Sequence, residues 1–234
     1  MTVQFSPEDD ILDICHSDVF KAIFTEGTPN SRASLSDLIS AAVGFLVKVD
    51  SILQPNASGY RDKQTPINTL CRDNDGKTLN VELTVYPDQF EPLGIEFSMC
   101  ELHTSQGIKE TGGALPGLQL TYQIIILAKR CLSEDQRYYH HFRYFDSDAQ
   151  RELGGLTHII TIELAKAAVV VEKDITEMSA MDQWVIFLKD CSDQSERGLV
   201  NLILKSEAYI AAAAETLLTI SKDEGIRTRL LNNN

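Results

Sequence analysis

The sequence predicts an α/β protein, ordered as two helices, a hairpin, a helix, three strands and a helical end. Three observations predict it. Leu79, Val81, Leu83 and Val85 alternate with Thr78, Asn80, Glu82 and Thr84 beyond a turn at Asp73-Asn74-Asp75-Gly76, the period of a strand in a hairpin. Tyr122–Ala128 is an apolar run of strand length, as a central strand covered on both faces requires. On either side of these segments the apolar residues recur at helical spacing.

The elements follow in order. Asp18–Thr25 is short and amphipathic, with Val19, Phe20, Ile23 and Phe24 at helical spacing, and Gly27-Thr28-Pro29-Asn30 breaks it. A second helix is expected from a cap at Ser34 or Ser36 through about Val47, burying Leu35, Leu38, Ile39, Ala42, Val43 and Leu46. Residues 54–66, with Pro55, Gly59 and Pro66, read as a loop. Ile67–Arg72 is then a strand and Lys77–Tyr86 the strand that returns from the turn. With the turn centred on Asp75, Asn68 falls opposite Glu82, and the two side chains become neighbours on one face. That face is polar on the returning strand, so the sheet is expected to bury only its other side there. A helix is expected from Phe90 to about Gln106, with Ile95, Met99 and Leu102 inward, although Pro92 and Gly94 weaken its start. Thr111–Gly117 reads as a loop, Tyr138–Phe145 and His158–Leu164 as strands, and Ala180–Lys189 and Arg197–Ile220 as helices. No domain boundary, repeat or low-complexity segment interrupts the pattern, so 1–234 is expected to be a single domain.

Composition limits the function. The 234 residues carry a net charge of −13, and no Lys/Arg-rich run appears. Affinity for nucleic acid backbone comes from clustered Lys and Arg, so duplex DNA is expected to bind weakly at most. Only Lys129-Arg130 and the Arg137–Arg143 stretch supply local positive charge. The longest apolar stretches fall far short of a membrane span, and Met1–Asp10 is polar and acidic, unlike a secretory leader. Five cysteines without CxxC spacing fit reduced thiols in a cytoplasmic protein. His140 and His141 are adjacent on a strand and so point to opposite faces, which keeps them from serving one site. On the residues alone, Glu82 is a polar side chain on a half-buried strand, and Asp73 and Asp75 are turn formers.

Six segments in order nevertheless resemble the Rpn-like (YhgA-like) recombination-promoting nucleases and transposases of the PD-(D/E)XK superfamily. Ser17–Phe24 is similar to the family's D-x-x-F-K-x-I-F opening, and Asp73–Glu82 to its D-x-x-G-x-x-x-N-[IV]-E hairpin. Tyr122–Leu127 followed by Tyr139–Arg143 resembles its strand pair. His158–Leu164 matches the I-x-x-I-E-L strand, and Met181–Lys189 the W-x-x-F-L helix. The resemblance implies a restriction-endonuclease-like fold, a mixed central sheet flanked by helices, with a core over about 17–190 and a helical extension over about 195–228. It also implies a Mg²⁺- or Mn²⁺-dependent site. Such a site holds the ion on carboxylates from two adjacent strands, and a Lys or Gln two residues past the second acid positions the attacking water.

Here the family's acid, acid and Lys/Gln positions fall on Asn68, Glu82 and Thr84. Asn68 replaces a charged ligand with a neutral amide, and Thr84 is too short to stand in for Gln or Lys. Ser17 falls where the opening motif has Asp, unless Asp18 serves with a shift of one residue, and no Arg occurs between Lys77 and Lys109. The expectation is a degenerate site in a protein that acts by binding another protein or a second copy of itself, without a cofactor. Two alternatives stand beside it. One is an active Mg²⁺-dependent endonuclease with Asp73 or Asp18 joining Glu82 at the metal. The other is an acidic interaction module that recognises a basic partner.

Overall fold

A computed structural model describes residues 3–53, 66–88, 92–104 and 119–232. The chain opens with α1 (Ser17–Thr25), whose Val19, Phe20, Ile23 and Phe24 are all buried. Helix α2 (Pro29–Val43) starts earlier than the capping serines suggested. Pro29 takes the first helical position, where its missing N–H costs nothing, and the Thr28 side chain accepts the Ser31 N–H. Gly44 ends the helix in the left-handed region, with φ 83°, and its N–H returns to Ser40 O. The helix stops short of the expected Val47: Leu46, expected inward, is 64% exposed, and Val47 opens strand β1 (Val47–Leu53), which Val47 and Val49 anchor in the core. The serines of α2 hold that strand in place. Val49 N donates to Ser36 Oγ at 3.0 Å and Val47 N to Ser40 Oγ at 2.8 Å. Ser34 is no cap: it is buried in mid-helix and donates to Tyr209 O at 2.7 Å.

Strands β2 (Ile67–Asp73) and β3 (Thr78–Tyr86) form the expected antiparallel hairpin, with Asn68 opposite Glu82 in register. Helix α3 (Pro92–Thr104) crosses to β4 (Leu120–Leu127), which runs parallel to β3. Strand β5 (Tyr139–Phe142) stops short of the expected Phe145. The chain there leaves the sheet for a small hairpin of β6 (Phe145–Asp146) and β7 (Arg151–Glu152), which the sequence reading missed. Strand β8 (Thr157–Glu163) returns to pair parallel with β4 and antiparallel with β5. The result is a six-stranded mixed sheet in the order β1-β2-β3-β4-β8-β5. The expected loops at 54–65 and Thr111–Gly117 lie outside the described residues.

The helical end begins with a single turn, α4 (Ala168–Val171), followed by α5 (Ala180–Asp190). A reciprocal capping box starts α5: Asp182 N donates to Ser179 Oγ, and Ser179 N donates to Asp182 Oδ2. The helix expected over Arg197–Ile220 divides into α6 (Arg197–Ser206) and α7 (Ala208–Lys222), because Glu207 is extended at φ −112° and ψ 100°. A last helix, α8 (Glu224–Asn232), follows. Among the described residues no helix is long and apolar enough to cross a membrane.

One face of the sheet carries the main core. Leu79, Val81, Leu83, Ile124, Ile126, Ile160 and Ile162 pack there against Phe20, Phe24, Leu38, Trp184 and the apolar faces of α6 and α7. Burial of each such large apolar side chain contributes about 1.5–3 kcal/mol. The opposite face is also covered, because Ile95 of α3 packs with Ile125 and Leu127. Strand β3 is therefore buried on both sides, and Asn80, Glu82 and Thr84 are 5% exposed each. This corrects the expectation of a half-buried strand. The polar residues of β3 face a helix rather than water, so each needs a partner.

Candidate active site

The polar row begins at Asn68 on β2. It crosses to Glu82 on β3 and continues to Gln123 on β4, because the registers place Asn68 opposite Glu82 and Glu82 beside Gln123. Register neighbours share a face, so the three side chains point toward α3. Glu82 is engaged from two sides. Ser98 of α3 donates its hydroxyl to Glu82 Oε1 at 2.5 Å, and Gln123 Nε2 donates to the same oxygen at 3.0 Å. Both are hydrogen bonds to a buried carboxylate, the kind that contributes most. The carboxylate's need for donors also fixes which end of the Gln123 amide faces it.

The amide oxygens are less well served. Asn68 Oδ1 and Gln123 Oε1 are both buried and accept no hydrogen bond from the protein. Thr84 lies two residues beyond Glu82 on the same face and is buried. Strand register thus sets Asn68 opposite Glu82, as the sequence reading expected, with Thr84 on the same face two residues along β3.

The other two candidates lie elsewhere. Asp73 stands at the hairpin tip, five residues past Asn68 and so roughly 16 Å along the strand. Its Oδ1 accepts the backbone N–H groups of Asp75 and Lys77 at 2.9 and 2.8 Å, the work of a turn former. Asp18 sits in the first turn of α1, whose buried residues belong to the core cluster on the face opposite Glu82. The structure therefore brings neither carboxylate into the row. His140 and His141 do point to opposite faces: His140 lies near Arg137 O and Glu163, while His141 bonds His158.

Gln123 and Ser98 were missed from the sequence. Gln123 had a signal, as the one polar residue inside the apolar run of Ile124–Leu127 and Tyr122. Ser98 had none, because only the docking of α3 brings it to β3.

A family model for PD-(D/E)XK nuclease family transposases matches residues 17–233. The chain belongs to that family. No curated protein and no solved structure matches it. The mixed sheet flanked by helices is the restriction-endonuclease-like fold expected of a PD-(D/E)XK protein.

Membership implies a metal ion, and the donor set can be judged on its chemistry. Asn68, Glu82 and Gln123 offer oxygen, which suits a hard cation, but only one of the three is an anion. That anion already accepts two hydrogen bonds through one oxygen. No group of three or more His, Cys, Asp or Glu side chains among the described residues is placed to hold a metal. The row does not fit the two-carboxylate anchor of a Mg²⁺ site. Cys71 and Cys191 offer no nucleophile in its place: burial pushes their thiols up to about 11 and about 12, leaving them protonated at neutral pH.

Proposed function

We propose that this PD-(D/E)XK family chain acts by binding, and that its ancestral metal row now serves to hold α3 on the sheet. The observation that carries the reading is the state of Glu82. Its register partner is a neutral amide, and its Oε1 is held by Ser98 from α3 and Gln123 from β4. A carboxylate that anchors a metal directs its lone pairs at the ion. Here Oε1 is turned to two protein donors. Thr84, at the position of the family's water-positioning Lys or Gln, is too short for that task.

The partner class we propose is protein, either another polypeptide or a second copy. Surface charge supports this. Against a net charge of −13, three of the four cations that offered local positive charge are paired: Arg137 with Asp135, Arg143 with Glu152, and Lys129 with Asp88. Hydrogen bonding to Arg137 draws the carboxyl of Asp135 down to about 2. Phosphates would have to break such pairs before binding.

A second reading rests on the two buried amide oxygens. Asn68 Oδ1 and Gln123 Oε1, with Glu82, make an oxygen set for a hard cation and leave room for Mg²⁺-dependent cleavage with changed ligands. Cleavage of supercoiled plasmid in Mg²⁺ or Mn²⁺ separates the two. The first reading expects no nicking by the wild-type protein. Nicking that Glu82→Ala abolishes would establish the second.

A further inference from the structure

On the face of the sheet opposite Glu82, His141 of β5 and His158 of β8 meet ring to ring. His141 Nε2 lies 2.9 Å from His158 Nδ1. Neither residue has a part in the polar row. Arg143, at the end of β5, reaches His141 Nδ1 at 3.4 Å. A guanidinium only donates, so His141 Nδ1 accepts and the proton of that neutral ring lies on Nε2. His141 Nε2–H then donates to His158 Nδ1, and His158 carries its own proton on Nε2. The donor chain fixes both tautomers.

Other groups complete the surroundings. Tyr122 of β4 stacks on His158 with ring centroids 4.6 Å apart, and Phe45 meets Tyr122 edge-on at 6.1 Å. Tyr139, two residues before His141 on β5, donates its hydroxyl to Ala42 O at 2.9 Å. Burial raises both tyrosine hydroxyls, which keeps them neutral. The charged groups that face the pair are Arg143 and Glu152, and these are bonded to each other at 3.0 Å.

This arrangement holds two protons on four ring nitrogens and has no place for a third. A third proton on the shared edge sets N–H against N–H. On His141 Nδ1 it faces the guanidinium. Either position breaks a contact and adds positive charge beside Arg143, with Glu152 alone to offset it. What the pair holds is an edge. Strand β5 has only four residues, pairs with β8 alone, and continues directly into the β6–β7 hairpin. None of the hairpin's residues belongs to the core, and Tyr144, Phe145 and Leu153 are 59%, 53% and 74% exposed. A two-stranded hairpin is marginal by itself in water.

We propose that His141 and His158 form a proton-sensitive clasp that fixes strand β5 and the β6–β7 hairpin to the sheet and releases them on acidification. Burial, and then Arg143, holds both imidazoles below the usual histidine range. The folded chain thus binds these protons less readily than the unfolded chain. The clasp's contribution is complete above pH 6.5, the ordinary histidine value, and is lost as pH falls through the lower folded values.

Backbone hydrogen exchange at pH 7.5 and 5.5, corrected for the intrinsic pH dependence of exchange, tests this. Protection over 139–152 should fall roughly tenfold or more at the lower pH, while α5 and β3 stay protected, since one broken buried contact corresponds to about one decade. The double variant His141→Phe with His158→Phe keeps the ring volume and should lose the pH step. Equal protection of the wild type at both values, or a step that persists in the double variant, overturns the proposal. Nitrogen-detected NMR of the wild-type imidazoles gives a second reading that needs no variant. Both rings should be neutral with Nε2–H at pH 7.5 and take up protons below the ordinary histidine value. A charged ring at pH 7.5, or ordinary titration of each, would be equally damaging.

Discussion

Ser98→Ala isolates the bond by which α3 grips Glu82. Glu82 is 5% exposed, so water cannot readily replace a lost donor. A hydrogen bond to a charged group contributes about 1.5–3 kcal/mol, and alanine in a helix returns about 0.5 kcal/mol relative to serine. The variant should therefore be destabilised by about 1–2.5 kcal/mol, with Gln123 still donating to the same oxygen. For a domain of this size that lowers Tm by roughly 5 °C. Urea unfolding should show a lower midpoint at unchanged slope. The same measurement with Mg²⁺ and with EDTA adds a control: neither should move the wild-type midpoint. An unchanged midpoint in Ser98→Ala would refute the grip. A wild-type midpoint that falls in EDTA, and does not in Glu82→Ala, would mean that Glu82 holds a metal instead.

Two further outcomes follow from the same physics. Asp182 caps α5, accepts the Tyr138 hydroxyl at 2.8 Å and pairs with Lys173 at 2.8 Å. Asp182→Ala should cost about 3 kcal/mol or more, from a lost cap and a lost charged hydrogen bond. Burial acts to raise that carboxyl, but Lys173, the Ser179 donors and Tyr138 outweigh it and hold it below the usual aspartate range. Its stabilisation is present above pH 3.8 and lost as pH falls through the lower folded value, so Asp182→Asn should flatten acid unfolding there. In a mobility-shift assay, duplex DNA should be retained weakly at most and steeply lost with salt. Sub-micromolar retention near physiological salt would show a basic surface assembled from distant residues.

Much of the sheet was legible because strand period and register are local. The Asp73–Gly76 turn set the hairpin, and the hairpin set Asn68 against Glu82. Strand β1 was lost because Leu46 and Val47 were read as the end of α2, which Gly44 and its left-handed φ instead terminate. The split between α6 and α7 left no proline or glycine to mark it; it lies at Glu207, whose backbone is extended. Burial of the polar row was illegible for a different reason. Alternation along β3 reports that Asn80, Glu82 and Thr84 share a face, but whether that face meets water depends on where α3 docks. The same docking supplies Ser98. Asn68 and Thr84 were legible only as departures from a family pattern.

The central claim is that Glu82 serves structure and no longer catalysis. Plasmid cleavage in Mg²⁺ and Mn²⁺ tests it most directly, comparing the wild type, Glu82→Ala, and Asn68→Asp combined with Thr84→Gln. Plasmid should stay intact with the wild type and with Glu82→Ala. Measurable nicking should come only where the second carboxylate and the longer side chain are returned beside Glu82. Wild-type nicking that disappears in Glu82→Ala would contradict the claim.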